Sequence, residues 1–350
     1  MDNKEKNKIL EEKISSFDPN DSGSLYHGVF GLPFNVEESK MVLVPVPWEA
    51  TVSYGEGTLE GPKAILDASQ QIDLFDPINP TGWKNGIAMM DIPSSIFYQS
   101  KQVREKTNKY LEGYNDKNID KELQAQINAD CAEINKYVKE TTLKFLNEDK
   151  IVGVVGGEHS VPLGYLEALS EKYNDFGILH FDAHMDLRDA YLGLEFSHAS
   201  IFFNALKIKN ISKLVSVGIR DFCEQEYNLT QKEKSRISVF TDYDIKKDIF
   251  KGETFKHKVK EIISKLPKNV YVSFDIDALI PYLSPGTGTP VIGGLTVDEV
   301  VFLIEELIAS GRKIIGFDLC EVAKGKDEWD GNVGARVLYK LCLLTLKSQK

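Results

Sequence analysis

The stretch GILHFDAHMD (177–186) begins as a run fit for a buried strand and ends in a file of acids and imidazoles. In an extended chain, residues two apart share a face, so His180, Asp182, His184 and Asp186 would line one edge together. Carboxylates crowded on one face repel one another and are costly to bury. A divalent cation removes that cost, since carboxylate oxygen and neutral imidazole are ordinary ligands for Mn²⁺, Zn²⁺ or Fe²⁺.

Seven other apolar runs resemble residues 177–182: MVLVPV (41–46), GIAMMD (86–91), IVGVV (151–155), KLVSVG (213–218), RISVF (236–240), NVYVSFD (269–275) and KIIGFD (313–318). They alternate with helix-like segments, the pattern of parallel strands covered on both faces by crossover helices. The class is therefore α/β. An open parallel sheet binds ligands beyond the carboxyl ends of its strands. The chemistry-bearing residues do follow the runs: VGGEHS the third, D-x-H-x-D the fourth, DID the seventh and LCEV the eighth.

The 350 residues, 42% hydrophobic and 27% charged, suit one large globular core, and no stretch reaches the roughly 18 consecutive apolar residues of a membrane span. A net charge of −11 argues against a nucleic-acid partner. The polar segment 1–38 contains no signal-peptide core and reads as a solvated extension of a cytoplasmic protein, leaving 39–350 as a single catalytic domain. Cys131, Cys223, Cys320 and Cys342 are too scattered for a disulfide framework or a CxxC site. Residues 100–148, polar with apolar residues three and four apart, predict a helical insertion or outer layer broken near GYNDKN (113–118).

Four of six histidines, His159, His180, His184 and His198, fall within about forty residues; His27 and His257 lie apart. SFDID adds Asp275 and Asp277 in the same alternate spacing. Taken alone, DAHMD is also compatible with a strand-end cap and a polar turn, and DID alone points to metal less than DAHMD does. Together they suit a two-metal centre, in which carboxylates bridge two ions and a water becomes a hydroxide at neutral pH. Four aspartates balance two divalent cations, and an oxygen-rich set without thiolates favours Mn²⁺. His180, one step deeper in the strand, reads as a buried histidine supporting the ligands from behind.

GGEHS, FDAHMDLRD, FSHAS, SFDIDALIPYLSPGTGTPVIGGLT and FDLCEV, in that order, resemble the signature blocks of the ureohydrolase superfamily of arginases, agmatinases and formimidoylglutamases. VPWEATVSYGEGTLEGPKAI (46–65) is similar to that family's first-strand loop, so the resemblance spans roughly 40–345. It implies a three-layer α/β/α sandwich on an eight-stranded, mainly parallel sheet, a trimer or hexamer, and two Mn²⁺ ions per chain that hydrolyse a guanidino or amidino carbon. Carried over by motif position, His159, Asp182, Asp186 and Asp275 hold one ion, and Asp182, His184, Asp275 and Asp277 the other. Asp277 takes the proton of the nucleophile, His198 exchanges protons with bulk water, and Glu321 receives the guanidinium.

Some positions depart from the family pattern. Glu158 stands where Asp is more common, Ile280 where an Asp usually precedes Pro281, and AKG after Glu321 lacks a common Pro. Gly156 and Gly157 predict a tight turn into a helix N-terminus that presents His159. PGTGTP (285–290) lacks the lysine and context of a phosphate loop and matches the family's active-site wall.

The loop LRDAYLGLEFS (187–197) should line the entrance. It lacks the Ser-Gly-Asn pattern of arginases and looks closer to one branch of agmatinases, which implies agmatine cleaved to putrescine and urea. Tyr54, Tyr191 and Phe196 are candidates to shape the pocket. Arg188 reads as a surface residue paired with Asp189; pointing inward, it would instead favour an arginase, a formimidoylglutamase or another guanidino-acid hydrolase. A zinc deacetylase-type amidohydrolase, with one metal and a His-His dyad absent here, and a catalytically silent metal-binding relative are the other readings.

Overall fold

The computed structural model describes residues 3–21 and 28–350; His27 lies outside them. All eight apolar runs are strands: β1 (Met41–Val46), β2 (Ile87–Met89), β3 (Ile151–Gly156), β4 (Phe176–Phe181), β5 (Ile211–Ile219), β6 (Ile237–Thr241), β7 (Asn269–Phe274) and β8 (Lys313–Leu319). They form one sheet in the order β2-β1-β3-β8-β7-β4-β5-β6, and every pairing is parallel.

The helices are α1 (Asn3–Ser16), α2 (Gly61–Ser69), α3 (Ser94–Asn115), α4 (Lys121–Asn147), α5 (Leu163–Lys172), α6 (Ile201–Ala205), α7 (Glu224–Lys232), α8 (Asp242–Phe250), α9 (Phe255–Ser264), α10 (Val297–Ala309) and α11 (Trp329–Lys347). Strand side chains alternate between two apolar layers. Met41 and Leu43 of β1 and Leu179 and Phe181 of β4 join the layer under α2 and α8 to α11, while Val42, Val44, Phe176 and Ile178 join the layer under α3 to α6. This is the three-layer sandwich, and its strands read as continuous apolar runs because both faces are covered.

The predicted break in the polar helical stretch falls between α3 and α4. Lys117 adopts a left-handed φ of 59°, and Asp120 caps α4 by accepting from the Leu123 N–H at 3.0 Å. Ile127, Cys131, Ile134, Val138 and Phe145 then form a buried stripe at spacings of three, four and seven. These helices also brace the loops of the site. Tyr110 donates to the Leu192 carbonyl at 2.9 Å, Gln124 to the Gly193 carbonyl, Asn128 accepts from the Glu195 N–H at 2.9 Å, and Arg104 binds the Val52 carbonyl and Glu56.

The reading of 1–38 as solvated is corrected over much of its length. Val29, Phe30, Leu32 and Phe34 are buried in the core, with the Phe30 ring 4.9 Å from that of Tyr339. Leu10, Ile14 and Phe17 pack on the same layer, and Lys13 pairs with Glu38. The polar residues dominated the composition, yet a few apolar ones suffice to dock the segment.

Candidate metal and substrate site

The strands β3, β8, β7 and β4 are adjacent in the middle of the sheet, and their carboxyl ends present His159, Glu321, Asp275 with Asp277, and Asp182 with His184 and Asp186, respectively. Residues scattered over 160 positions therefore meet in one place.

Two local features differ from the expected extended geometry. β4 ends at Phe181, and Asp182 Oδ1 accepts the His184 N–H at 2.6 Å, folding the chain into a turn. Asp275 Oδ1 accepts the Asp277 N–H at 2.8 Å in the same way. Asp186 then takes a left-handed φ of 52°. The alternate acids converge through these turns, not along a strand face. His159 likewise sits in a turn that precedes α5 by several residues, not at a helix N-terminus. Gly157 is required there because a Cβ would lie 2.1 Å from the Trp48 carbonyl oxygen.

The donor atoms are arranged around two centres. His159 Nδ1 lies 3.1 Å from Asp182 Oδ2, 3.2 Å from Asp186 Oδ2 and 3.3 Å from Asp275 Oδ2. His184 Nδ1 lies 3.0 Å from Asp277 Oδ2 and 3.4 Å from Asp182 Oδ1. One N–H cannot serve three carboxylates. Donors about 3.0 Å apart are, however, the edges of an octahedron whose metal–ligand distances are about 2.1 Å. Asp182 contributes one oxygen to each group, so it could bridge two ions.

Electrostatics point the same way. Burial, then Asp277 and Asp182, push the Asp275 carboxyl far above the usual range; burial, then Asp182, raise that of Asp186 to about 7. Burial works against charge on Asp182 as well, but hydrogen bonds from His159, His180 and His184 hold it well below normal. His159 and His184 are raised despite burial by the same carboxylates. A cluster whose protons and histidine cations must neutralise buried carboxylates is one that divalent ions can neutralise instead.

His180 is fully buried with both ring nitrogens engaged, Nδ1 with Ser216 Oγ at 3.0 Å and Nε2 with Asp182 Oδ2 at 2.8 Å. It stands close enough to His159 and Asp182 to complete a metal-like triad, but its bonds make it an orienter of Asp182. Sequence reading overlooked a second support. Ser273 Oγ lies 3.0 Å from His159 Nε2 and donates to Asp318 Oδ2 at 2.7 Å. The only signal for it was an acid inside an otherwise apolar strand run.

A cavity of about 170 Å³ opens beside the cluster. Glu321, at a left-handed φ of 61°, accepts the His159 N–H at 2.8 Å through Oε1; its Oε2 accepts no such bond among the described residues, and burial pushes its carboxyl well up. Two left-handed non-glycine residues in one site are strain that the surrounding bonds must hold. His198, Thr289, Arg188 and Tyr191 line the walls. Tyr54 instead stands 84% exposed, and Phe196 packs on the layer under α3 to α6.

Arg188 is 38% exposed at the cavity wall, and the correction to its reading is the partner, Glu226 in place of Asp189. Its guanidinium lies 4.8 Å from the Tyr191 ring centroid, with Nε 3.9 Å from Glu226, and makes no hydrogen bond among the described residues.

Residues 39–344 match the model of the arginase family. The chain belongs to that family. It is 29% identical over 316 residues to the N(1)-aminopropylagmatine ureohydrolase of Thermus thermophilus, covering 87% of this chain and 89% of the relative. It is 30% identical over 298 residues to the agmatinase of Bacillus cereus, covering 84% and 87%. The agmatine ureohydrolase of Thermoplasma volcanium superposes with a TM-score of 0.69 at 23% identity over 96% and 98% of the two chains. An arginase-family ureohydrolase is a hydrolase acting on guanidino groups, and the clustered His and Asp donors fit the metal dependence of that family.

Proposed function

We propose that this ureohydrolase converts agmatine to putrescine and urea, with His159, Asp182, His184, Asp186, Asp275 and Asp277 holding two Mn²⁺ ions. The observation that carries the reading is the convergence of three carboxylate oxygens on His159 Nδ1, with Asp182 shared with the His184 and Asp277 group. The names of the relatives at 29% and 30% identity supply the amine tail. The same reading expects an oligomer in the cytoplasm, which light scattering and fractionation measure.

The ions, when bound, provide an activated water at neutral pH. Glu321 Oε2 receives guanidinium N–H groups, and its proton-loving carboxyl gains most from a cation. Asp277, held by the Ala183 N–H at 3.0 Å, takes the proton of the attacking water, and His198 carries protons between cleft and solvent. Water adds to the guanidinium carbon, the C–N bond to the alkyl nitrogen breaks, and the products are urea and a protonated amine.

The Mn²⁺-loaded protein should release urea from agmatine in preference to arginine, guanidinobutyrate, guanidinopropionate and guanidinoacetate. A preference for one of the acids would keep the chemistry and replace the tail. The guanidinium of Arg188, which lines the cavity with only a long ion pair to Glu226 and the Tyr191 ring beside it, favours that second reading. Formimidoylglutamate, assayed for formamide, completes the comparison; inactivity on all of them would sink the proposal. Glu321→Gln should raise KM roughly 10-fold or more while ion content stays at two, because it removes a charge-assisted bond of about 1.5–3 kcal/mol.

Metal binding should also release protons. With Asp186 raised to about 7 and Asp275 well above its usual range, the ion-free cluster carries protons that the ions displace. Apparent Mn²⁺ affinity is therefore expected to fall as pH drops through 7. Calorimetry in buffers of different ionisation enthalpy measures this, and an affinity flat between pH 6 and 8 would refute it.

A further inference from the structure

Thr51, in the loop after β1, touches both His198 and Glu158, and the chemistry of that contact fixes more than position. Its hydroxyl lies 2.9 Å from Glu158 Oε1, accepts the His198 N–H at 3.0 Å and lies 3.4 Å from His198 Nδ1. Glu158 is fully buried and collects four donors: the N–H groups of Ala50 at 3.0 Å and Thr51 at 2.7 Å on Oε2, and the hydroxyls of Thr51 and Ser160 on Oε1, the latter at 2.7 Å. A carboxylate that takes four donors is acting as an acceptor only. The single proton of the Thr51 hydroxyl is thus committed to Glu158. Toward His198 the hydroxyl has only lone pairs to offer. Ser197 Oγ, 3.3 Å from His198 Nδ1, accepts from the Ala199 N–H but keeps its own proton and a second lone pair, so it can meet either tautomer and leaves the choice to Thr51. The His198 ring stands edge-on to Tyr191, 5.9 Å between centroids, and its Nε2 has no hydrogen-bond partner among the described residues.

We propose that Thr51 and Glu158 are positioning residues that hold His198 as the Nδ1–H tautomer, leaving the Nε2 lone pair to face the cleft. Proton exchange then runs through one atom. Burial, then the charges of His184 and His159, lower the pKa of the His198 ring to about 3, so its resting form is neutral and its imidazolium short-lived. Nε2 takes a proton from solvent and yields it at once to the departing amine, while Nδ1 keeps its own proton throughout. The role in turnover rests on the function proposed above; the tautomer does not.

Glu158→Gln offers the sharpest variant. An amide donor facing Thr51 lets the hydroxyl turn its proton toward Nδ1 and favours Nε2–H, the tautomer that cannot accept at the cleft. Thr51→Val removes the hydroxyl at nearly constant volume, and Thr51→Ser restores it. Long-range ¹H–¹⁵N spectra of histidine-labelled protein, loaded with diamagnetic Mg²⁺ and assigned with His198→Asn, read the tautomer directly. Wild type and Thr51→Ser should show Nδ1–H, and Glu158→Gln and Thr51→Val a shift toward Nε2–H. With agmatine and Mn²⁺, the last two should lose about 10- to 100-fold in kcat with KM and ion content unchanged, and imidazole buffer should restore part of the loss.

An Nε2–H wild type, or variants without effect on the tautomer, would overturn the proposal. So would variants that change the tautomer without lowering kcat in an active enzyme. The predicted tautomers in a protein inactive on every guanidino compound would support the positioning and defeat the function instead.

Discussion

Asp277→Asn is expected to lower turnover roughly 10²- to 10⁴-fold, the contribution typical of a positioned acid–base group, and to weaken one of two bound ions. Asp277 has two tasks on its two oxygens. Oδ1 accepts the Ala183 N–H at 3.0 Å, tying the β7 loop to the β4 loop, and Oδ2 lies 3.0 Å from His184 Nδ1. Asparagine keeps an acceptor for the first task, so the fold should survive and the far-UV circular dichroism should match wild type. It cannot perform the second. A neutral amide is a poor ligand beside His184, and it has no basic oxygen to take a proton from water. Elemental analysis should therefore find Mn²⁺ falling from two per chain toward one in parallel with activity. Near-normal turnover would show that another group serves as the base, and loss of both ions would show that Asp277 organises the whole cluster.

The strands and the site residues were legible for different reasons. A strand covered on both faces must be apolar at nearly every position, so IVGVV and NVYVSF announce themselves locally. The acids and histidines were legible because each follows such a run, and a parallel sheet gathers all its carboxyl ends on one edge. What local pattern could not give was the company each residue keeps. Arg188 reads as a surface residue because Asp189 is its neighbour in sequence; in space its neighbours are Tyr191 and Glu226. The bracing of the entrance loop by Tyr110, Gln124 and Asn128 joins residues about 70 to 80 positions apart. The buried stripe of α4 was visible as periodicity, but not the polar edge that holds the loop. Even in HFDAHMD, whose acids and imidazoles do come together, the backbone differs from the extended strand that the spacing suggests, because the carboxylate of Asp182 competes for the His184 N–H and ends the strand.

The loop after β7 depends on a residue that no motif singled out. Ile280 offers no side-chain acceptor or donor to cap this loop. Arg220, at the end of β5, takes over from the other side. Its Nη2 donates to the carbonyls of Asp277 at 2.6 Å, Leu279 at 3.2 Å and Val291 at 3.1 Å, its Nη1 to Gly218 at 3.0 Å and Ala278 at 3.4 Å, and its Nε to Val291 at 3.3 Å. A planar fork fits this cage of carbonyls in a way that an ammonium cannot. Arg220→Met keeps the apolar stem and deletes every donor, leaving partly buried carbonyls unsatisfied. The expected cost is about 3 kcal/mol, seen as a Tm lower by several degrees. The backbone of Asp277 is among the groups released, so its carboxylate should be less well placed. The variant should therefore bind its weaker Mn²⁺ at least several-fold less tightly even where it is folded, and Arg220→Lys should recover only part of the loss. Unchanged Tm and ion content in Arg220→Met would mean that the bonds from Leu295 to Ala278 and from Ile280 to Leu295 hold the loop without help.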